Sequence, residues 1–291
     1  MPFKEPIVMP ALFVDQLTVI DFAYFDPARG IVGESWIVDL VLEGELDDQG
    51  MVFDFGDVKK RIKQAIDATL DHKLAVPSQH SEMSIAEDGD TLTLDMRDKQ
   101  GHFYRHQSPK QAVALVPAEI ITRESALPML HEACSKVVPS NVKKIYLNLR
   151  TENISGDYYH YAHGLKKHLG DCQRIAHGHR SQIHIFENNQ RNSDLETYWC
   201  ELWRDIYIGT AEDLQKDFED NGVQYFEFSY QSEQGEFSLI IPAERCHIMQ
   251  QDSTVELIAQ HIADQLKAKH PQSDIKVKAY EGVNKGAIAF A

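Results

Sequence analysis

Apolar and polar positions recur along this chain with the period of a strand in some stretches and of a helix in others. Segments 12–25 (LFVDQLTVIDFAYF) and 35–46 (SWIVDLVLEGEL) are rich in β-branched and aromatic residues, and the second alternates for much of its length. DDQG at 47–50 is turn chemistry. Beyond it, 55–74 places Val58, Ile62, Ala65, Ile66 and Leu70 on one face of an amphipathic helix. Strands are predicted at 90–98 and 101–106, with Lys99-Gln100-Gly101 as their hairpin turn. A helix follows Pro117 around RESALPMLHEACSKV, which its own Pro128 must start or kink. Segment 142–152 (VKKIYLNLRTE) is a cleanly alternating strand.

The second half repeats this plan. Segments 180–187 and 223–231 are strand-like, and QGEFSLIIPAE (234–244) mirrors QAVALVPAE (111–119). A helix over 253–269 then leads to a strand at 275–282, as the first helix pair leads to 142–152. The shared order of elements predicts a duplicated unit with its boundary near 152–157.

Composition narrows the class. With 291 residues, 43% of them hydrophobic and 25% charged, the chain can bury a proper core. No apolar run is long enough to span a membrane. The first residues, MPFKEPIVMP, lack a secretory leader's basic and apolar regions. Cys134, Cys172, Cys200 and Cys246 form no short-spaced framework, so free thiols in a reducing cytoplasm are expected. A net charge of −16 argues against nucleic acid as a partner. Residues 166–180 run against that balance, carrying Lys166, Lys167, Arg174, Arg180 and three histidines against Asp171 alone. That stretch would suit a small anionic substrate, or serve solubility alone.

His177-Gly178-His179 puts two imidazoles on one side of an extended segment. His163 precedes them by fourteen residues, and two paired strands would unite all three as a catalytic zinc set with an open fourth position. The chain has fourteen histidines, and His160, His168 and His184 compete for those places. Cys172 stands between the two histidine segments. It reads as a buried structural thiol, as a nucleophile or base beside a metal and Arg174, or as a fourth ligand closing the site. Asp71-His72 either ends a helix or forms an acid–imidazole proton relay.

AHGL (162–165), Cys172 and HGH (177–179) resemble the zinc and cysteine motifs of the 6-pyruvoyl-tetrahydropterin synthase and 6-carboxytetrahydropterin synthase family. GMVFDFGDVKK (50–60), LDH (70–72), STVE (253–256) and Tyr280-Glu281 resemble further motifs of that family. The resemblance implies an α+β fold of two tandem tunnelling-fold units, 1–154 and 155–291, each an antiparallel sheet with helices on one face. It implies zinc on His163, His177 and His179, catalysis by Cys172 with Asp71 and His72, and pterin contacts from Thr254 and Glu281. The first unit has Asp21 where the family places its first histidine and VGES (32–35) where it places HGH, so no zinc is expected there. Glu152 is the first-unit match of Glu281. Because the family builds its site between neighbouring units, the two halves are expected to supply complementary parts of one site, within one chain or across a homo-oligomer.

The activity so implied is that of a zinc-dependent lyase on 7,8-dihydroneopterin triphosphate. A 6-carboxytetrahydropterin product for queuosine (deazaguanine) synthesis is favoured over 6-pyruvoyl-tetrahydropterin. Two other readings compete: a non-catalytic pterin-binding or assembly protein, and another reaction of the same fold on a related purine or pterin.

Overall fold

The structure is a computed structural model that describes residues 9–46, 48, 50–52 and 54–291. The reading of the first ten residues as leaderless falls largely outside these, as do Asp47, Gln49 and Phe53 of the predicted turn and the segment after it.

The first half runs β1 (Ala11–Asp26), β2 (Gly30–Gly44), α1 (Phe55–Leu70), β3 (Leu74–Pro77), β4 (Met83–Asp88), β5 (Thr91–Arg97), β6 (Phe103–Pro109), β7 (Val113–Val116), α2 (Arg123–Ser135) and β8 (Val142–Arg150). The second runs β9 (Tyr158–His163), β10 (His177–Glu187), β11 (Gln190–Arg191), α3 (Ser193–Leu202), β12 (Ile206–Thr210), β13 (Leu214–Asp220), β14 (Val223–Ser232), β15 (Gly235–Pro242), β16 (Cys246–Met249), α4 (Val255–Lys269), β17 (Ile275–Tyr280) and β18 (Gly286–Phe290). The fold is α+β. One sheet has the order β7-β3-β1-β2-β8, and its counterpart has β16-β12-β9-β10-β17-β18, with β11 on β10. Both are antiparallel at their centres. The β1–β3, β3–β7, β9–β12 and β12–β16 pairs are parallel, because the chain leaves each sheet between them to form other strands. Those excursions meet in a third sheet, β13-β14-β15-β6-β5-β4, whose β15–β6 pairing joins the two halves.

Local chemistry fixes the helices. Asp54 caps α1 by accepting from Gly56 and Asp57 N–H, and Val58, Ile62, Ile66 and Leu70 bury its apolar face. Each such side chain contributes about 1.5–3 kcal/mol of apolar burial. Thr122 and Ser125 form a capping box that starts α2, so Pro128 neither starts this helix nor breaks it. The cap fixes the first turn, and Pro128 falls inside the helix with Ala126, Leu130 and Cys134 buried around it.

Strand register relates the halves residue by residue. Ala23 pairs with Gly33 and Leu74, as Ala162 pairs with Gly178 and Tyr207. This frame corrects two readings of the repeat. The two PAE segments do not correspond: Pro242-Ala243-Glu244 ends β15, the counterpart of β6, whereas Pro117-Ala118-Glu119 follows β7. The short motif matched by composition, whereas backbone pairing places it one strand apart. Tyr24, not Asp21, stands level with His163, while Val32 and Glu34 stand level with His177 and His179. Asp21 is level with His160 and projects from the opposite face of its strand. Likewise Val38–Leu149 matches Ile183–Ala279, which puts Thr151 rather than Glu152 level with Glu281.

The two sheets touch backbone to backbone. A Cβ on Gly33 would overlap Tyr161 O, and one on Gly178 would lie 2.6 Å from Gly33 Cα. Glycine is required there because no side chain fits between the strands.

A candidate metal centre built across the repeat

His163 and His177 are cross-strand partners on β9 and β10, and His179 follows two residues on, so all three project from one face. Their rings lie 4.5 Å (His163–His177), 5.4 Å (His163–His179) and 5.8 Å (His177–His179) apart between centroids. One nitrogen from each falls within 4.8 Å of the others, in a fully buried position. Competing histidines lie elsewhere: His160 bonds Gly33 O, His168 is exposed, and His184 packs on Tyr280.

The hydrogen bonds settle which nitrogens are free. His163 Nδ1 lies 3.0 Å from Ser253 O, and His177 Nδ1 lies 3.0 Å from Arg174 O. A carbonyl only accepts, so each Nδ1 carries the proton and each Nε2 keeps its lone pair. His179 Nδ1 faces Asp21 Oδ1 at 3.3 Å. The Nε2 atoms of His163 and His179 are buried without a hydrogen-bond partner. Burial first, and then the neighbouring imidazole, holds His163 and His177 well below the usual histidine range, hence neutral. Three buried imidazoles with converging nitrogens, two of them with an Nε2 that lacks a hydrogen-bond partner, suit a divalent metal. The residues therefore fit a three-histidine metal.

The other half of the chain completes the site. α1 ends at Leu70, Asp71 turns extended, and His72 adopts φ 54°, which swings its ring towards β10. His72 and His177 rings are 4.9 Å apart, and His72 Nδ1 bonds Asp71 Oδ2 at 2.8 Å. Asp71 Oδ1 in turn accepts from Asp21 N–H at 2.8 Å, fixing the carboxylate at both oxygens. Cys172 Sγ clusters with His72 and His177 and is half-buried. It does not join the set of all three histidines, which favours a thiol beside the metal over a fourth ligand. Burial opposes charge on His72, but its hydrogen bonds to Asp71 and Cys172 outweigh it and raise the imidazole to about 10.

Glu281 lies at the end of β17, within charge range of Tyr161 and 3.7 Å from Lys285. Thr254 caps α4 through Leu257 N–H, next to Ser253 on His163. Three participants escaped the sequence reading: Asp21 as a neighbour of His179, Ser253, and Lys285, 3.1 Å from Asp21 Oδ2. STVE contains Ser253 and VIDF contains Asp21, but neither segment shows which histidine it meets, because each reaches the site from a distant part of the chain.

The basic stretch does not supply free cations to the site. Lys166 pairs with Asp213, and Lys167 with Glu212 and Asp252. Arg180 stacks on Tyr158 and donates to Glu152 O. Arg174 donates to Asp71 O, His72 O and Gln234 and pairs with Asp171, so it holds the relay corner in place.

Around Tyr24, Val32 and Glu34 the first half carries a different arrangement. Asp205, level with His72 and sharing its left-handed backbone (φ 56°), binds Arg29 through both carboxylate oxygens. Arg29 also donates to Tyr24 Oη at 3.0 Å.

Residues 19–112 match the family described as 6-pyruvoyl tetrahydropterin synthase. The chain is 26% identical over 135 residues to a Pyrococcus horikoshii protein named for 6-carboxy-5,6,7,8-tetrahydropterin synthase, covering 46% of this chain and 77% of that one. A Pyrococcus abyssi protein of the same name is 25% identical, over 45% of this chain and 74% of its own length. Among solved structures, 6-pyruvoyl tetrahydropterin synthase of Plasmodium vivax is 20% identical, with 48% of this chain and 97% of that chain covered and a TM-score of 0.35. The Plasmodium falciparum enzyme is 18% identical over 48% and 90% of the two chains, with a TM-score of 0.37. No helix among the described residues is long and apolar enough to cross a membrane. The family match falls on the half without the three histidines, and the strand register carries the same plan into the half that has them.

Proposed function

We propose that the chain is a zinc-dependent lyase of the 6-carboxytetrahydropterin synthase type, acting on 7,8-dihydroneopterin triphosphate, within queuosine synthesis in the cytoplasm. One observation carries this reading: the buried cluster of His163, His177 and His179 shares His177 with a half-buried cluster of Cys172 and His72 from the other half, where Asp71 bonds His72. The names of the Pyrococcus relatives favour the carboxy product over the pyruvoyl one. We take the units as 1–154 and 155–291, and the chain as one that assembles into homo-oligomers.

Zinc on the three Nε2 atoms would supply Lewis acidity to hydroxyl groups on the pterin side chain. Cys172 takes a proton from the activated carbon, and the charged His72 beside it gives a sulfur anion its counter-charge. His72, oriented by Asp71, delivers a proton in the same exchange. Glu281 accepts two N–H bonds from the aminopyrimidine edge. Thr254 offers its hydroxyl to the same ring from the start of α4. The triphosphate must be met by cations other than Lys166, Lys167 and Arg174, which are already paired.

Incubating the purified protein with dihydroneopterin triphosphate and identifying the product by mass tests the proposal. A 6-carboxytetrahydropterin supports it and a 6-pyruvoyl product shifts it to the sister activity. Binding without turnover leaves a pterin-binding protein.

A further inference from the structure

Asp21 belongs to the half of the chain whose histidine positions are occupied by Tyr24, Val32 and Glu34, yet its side chain lies in the other half's site. The carboxylate is 2% exposed. Oδ1 accepts from Ser35 Oγ at 2.5 Å and stands 3.3 Å from His179 Nδ1, while Oδ2 pairs with Lys285 at 3.1 Å. Gly282 makes room for it with a left-handed φ of 69°, and a Cβ there would overlap Asp21 Oδ1. Among the described residues, His179 Nδ1 has no other partner, whereas His163 and His177 direct their Nδ1 atoms at carbonyls of their own half.

We infer that Asp21 is a positioning residue for the metal: it fixes the ring and tautomer of His179 from across the repeat, so that the affinity of the second unit's centre depends on the first unit. This rests on the reading of the three histidines as a metal site. A ligating imidazole whose other nitrogen faces a carboxylate is held in orientation and made a better donor, and loss of such a partner costs 10–100-fold in metal affinity. The register shows how the two units diverged. Asp21 and His160 occupy matching positions, as do His179 and Glu34. The first unit therefore carries acids at both positions and the second carries imidazoles at both. Only one arrangement sets a carboxylate behind a ligating histidine.

The test uses the full chain, with Zn2+ affinity measured by competition against a chromophoric chelator and the Co2+-substituted protein read by its ligand-field spectrum. Asp21→Asn keeps the volume and the Ser35 contact while removing the charge. It is expected to lower metal affinity 10–100-fold and to alter the Co2+ spectrum, and Asp21→Glu should recover part of both. Thermal unfolding of the metal-free proteins separates a folding defect from a metal effect. If the parent binds tightly and Asp21→Asn matches it in affinity and spectrum, the inference is overturned and the metal site stands. If the parent binds no metal, the site reading falls and this inference with it.

Discussion

The rings of His72 and His177 stand 4.9 Å apart, joining a helix end in one half of the chain to a strand start in the other. That contact brings the two sets of family-like motifs together within a single chain.

His179→Ala should remove a buried Nε2 that has no hydrogen-bond partner among the described residues. Elemental analysis after dialysis is expected to give about one zinc per chain for the parent and near none for the variant. Equal metal content in both would exclude the triad as the ligand set.

Cys172→Ala should separate turnover from binding. Loss of a proton-transferring group lowers turnover by about 10²–10⁴-fold, while metal content and pterin affinity change little. Pre-steady-state product formation and equilibrium titration of the same preparation read the two effects. A variant that keeps full turnover would remove Cys172 from the chemistry.

Arg174→Ala frees the carbonyls of Asp71 and His72 and leaves the three histidines in place. Turnover should fall by about 10–100-fold with zinc retained, because the relay loses its fixed geometry. Parallel loss of zinc would show instead that Arg174 supports the whole centre.

Glu34 gives a pH signature away from the metal. Burial, only partly offset by the Ser35 N–H bond and nearby arginines, pushes its carboxyl up to about 7. The folded state thus holds a proton that the unfolded chain releases from its ordinary value of 4.5 upwards. Stability from this group is full below about 4.5 and declines as pH rises through about 7. Glu34→Gln should match the parent near pH 5 and exceed it at pH 8, by on the order of 3 kcal/mol at most. Urea denaturation at the two pH values checks it; a pH-independent difference would contradict it.

Asp205→Ala breaks the pair that ties Arg29 and Tyr24 to the second half. Because Arg29 is about one-third exposed, the cost is discounted to about 1–2 kcal/mol, with metal content unchanged. Denaturation midpoints with elemental analysis would show whether the two losses are independent.

Much of this was legible in the sequence because it depends on short-range periodicity. Period-2 and period-3.6 patterns located β1, β2, α1, β5, β6 and β8, and alternate residues on one strand put His177 and His179 on one face. The segment read as a helix from Arg123 is α2, and the Thr122 cap rather than Pro128 sets where it begins. PAE misled because three residues carry no register.

The sequence by itself determined the longer strands and helices with a clear period and the residue types of a candidate metal site. Only the tertiary structure decided that His72 faces His177 within one chain, that Asp21 stands beside His179, and that Arg174 bonds the carbonyls of Asp71 and His72. Those relations depend on register and on the close approach of Gly33 to Gly178. Long-range juxtaposition leaves no periodic trace in either partner segment, so no local pattern could disclose it.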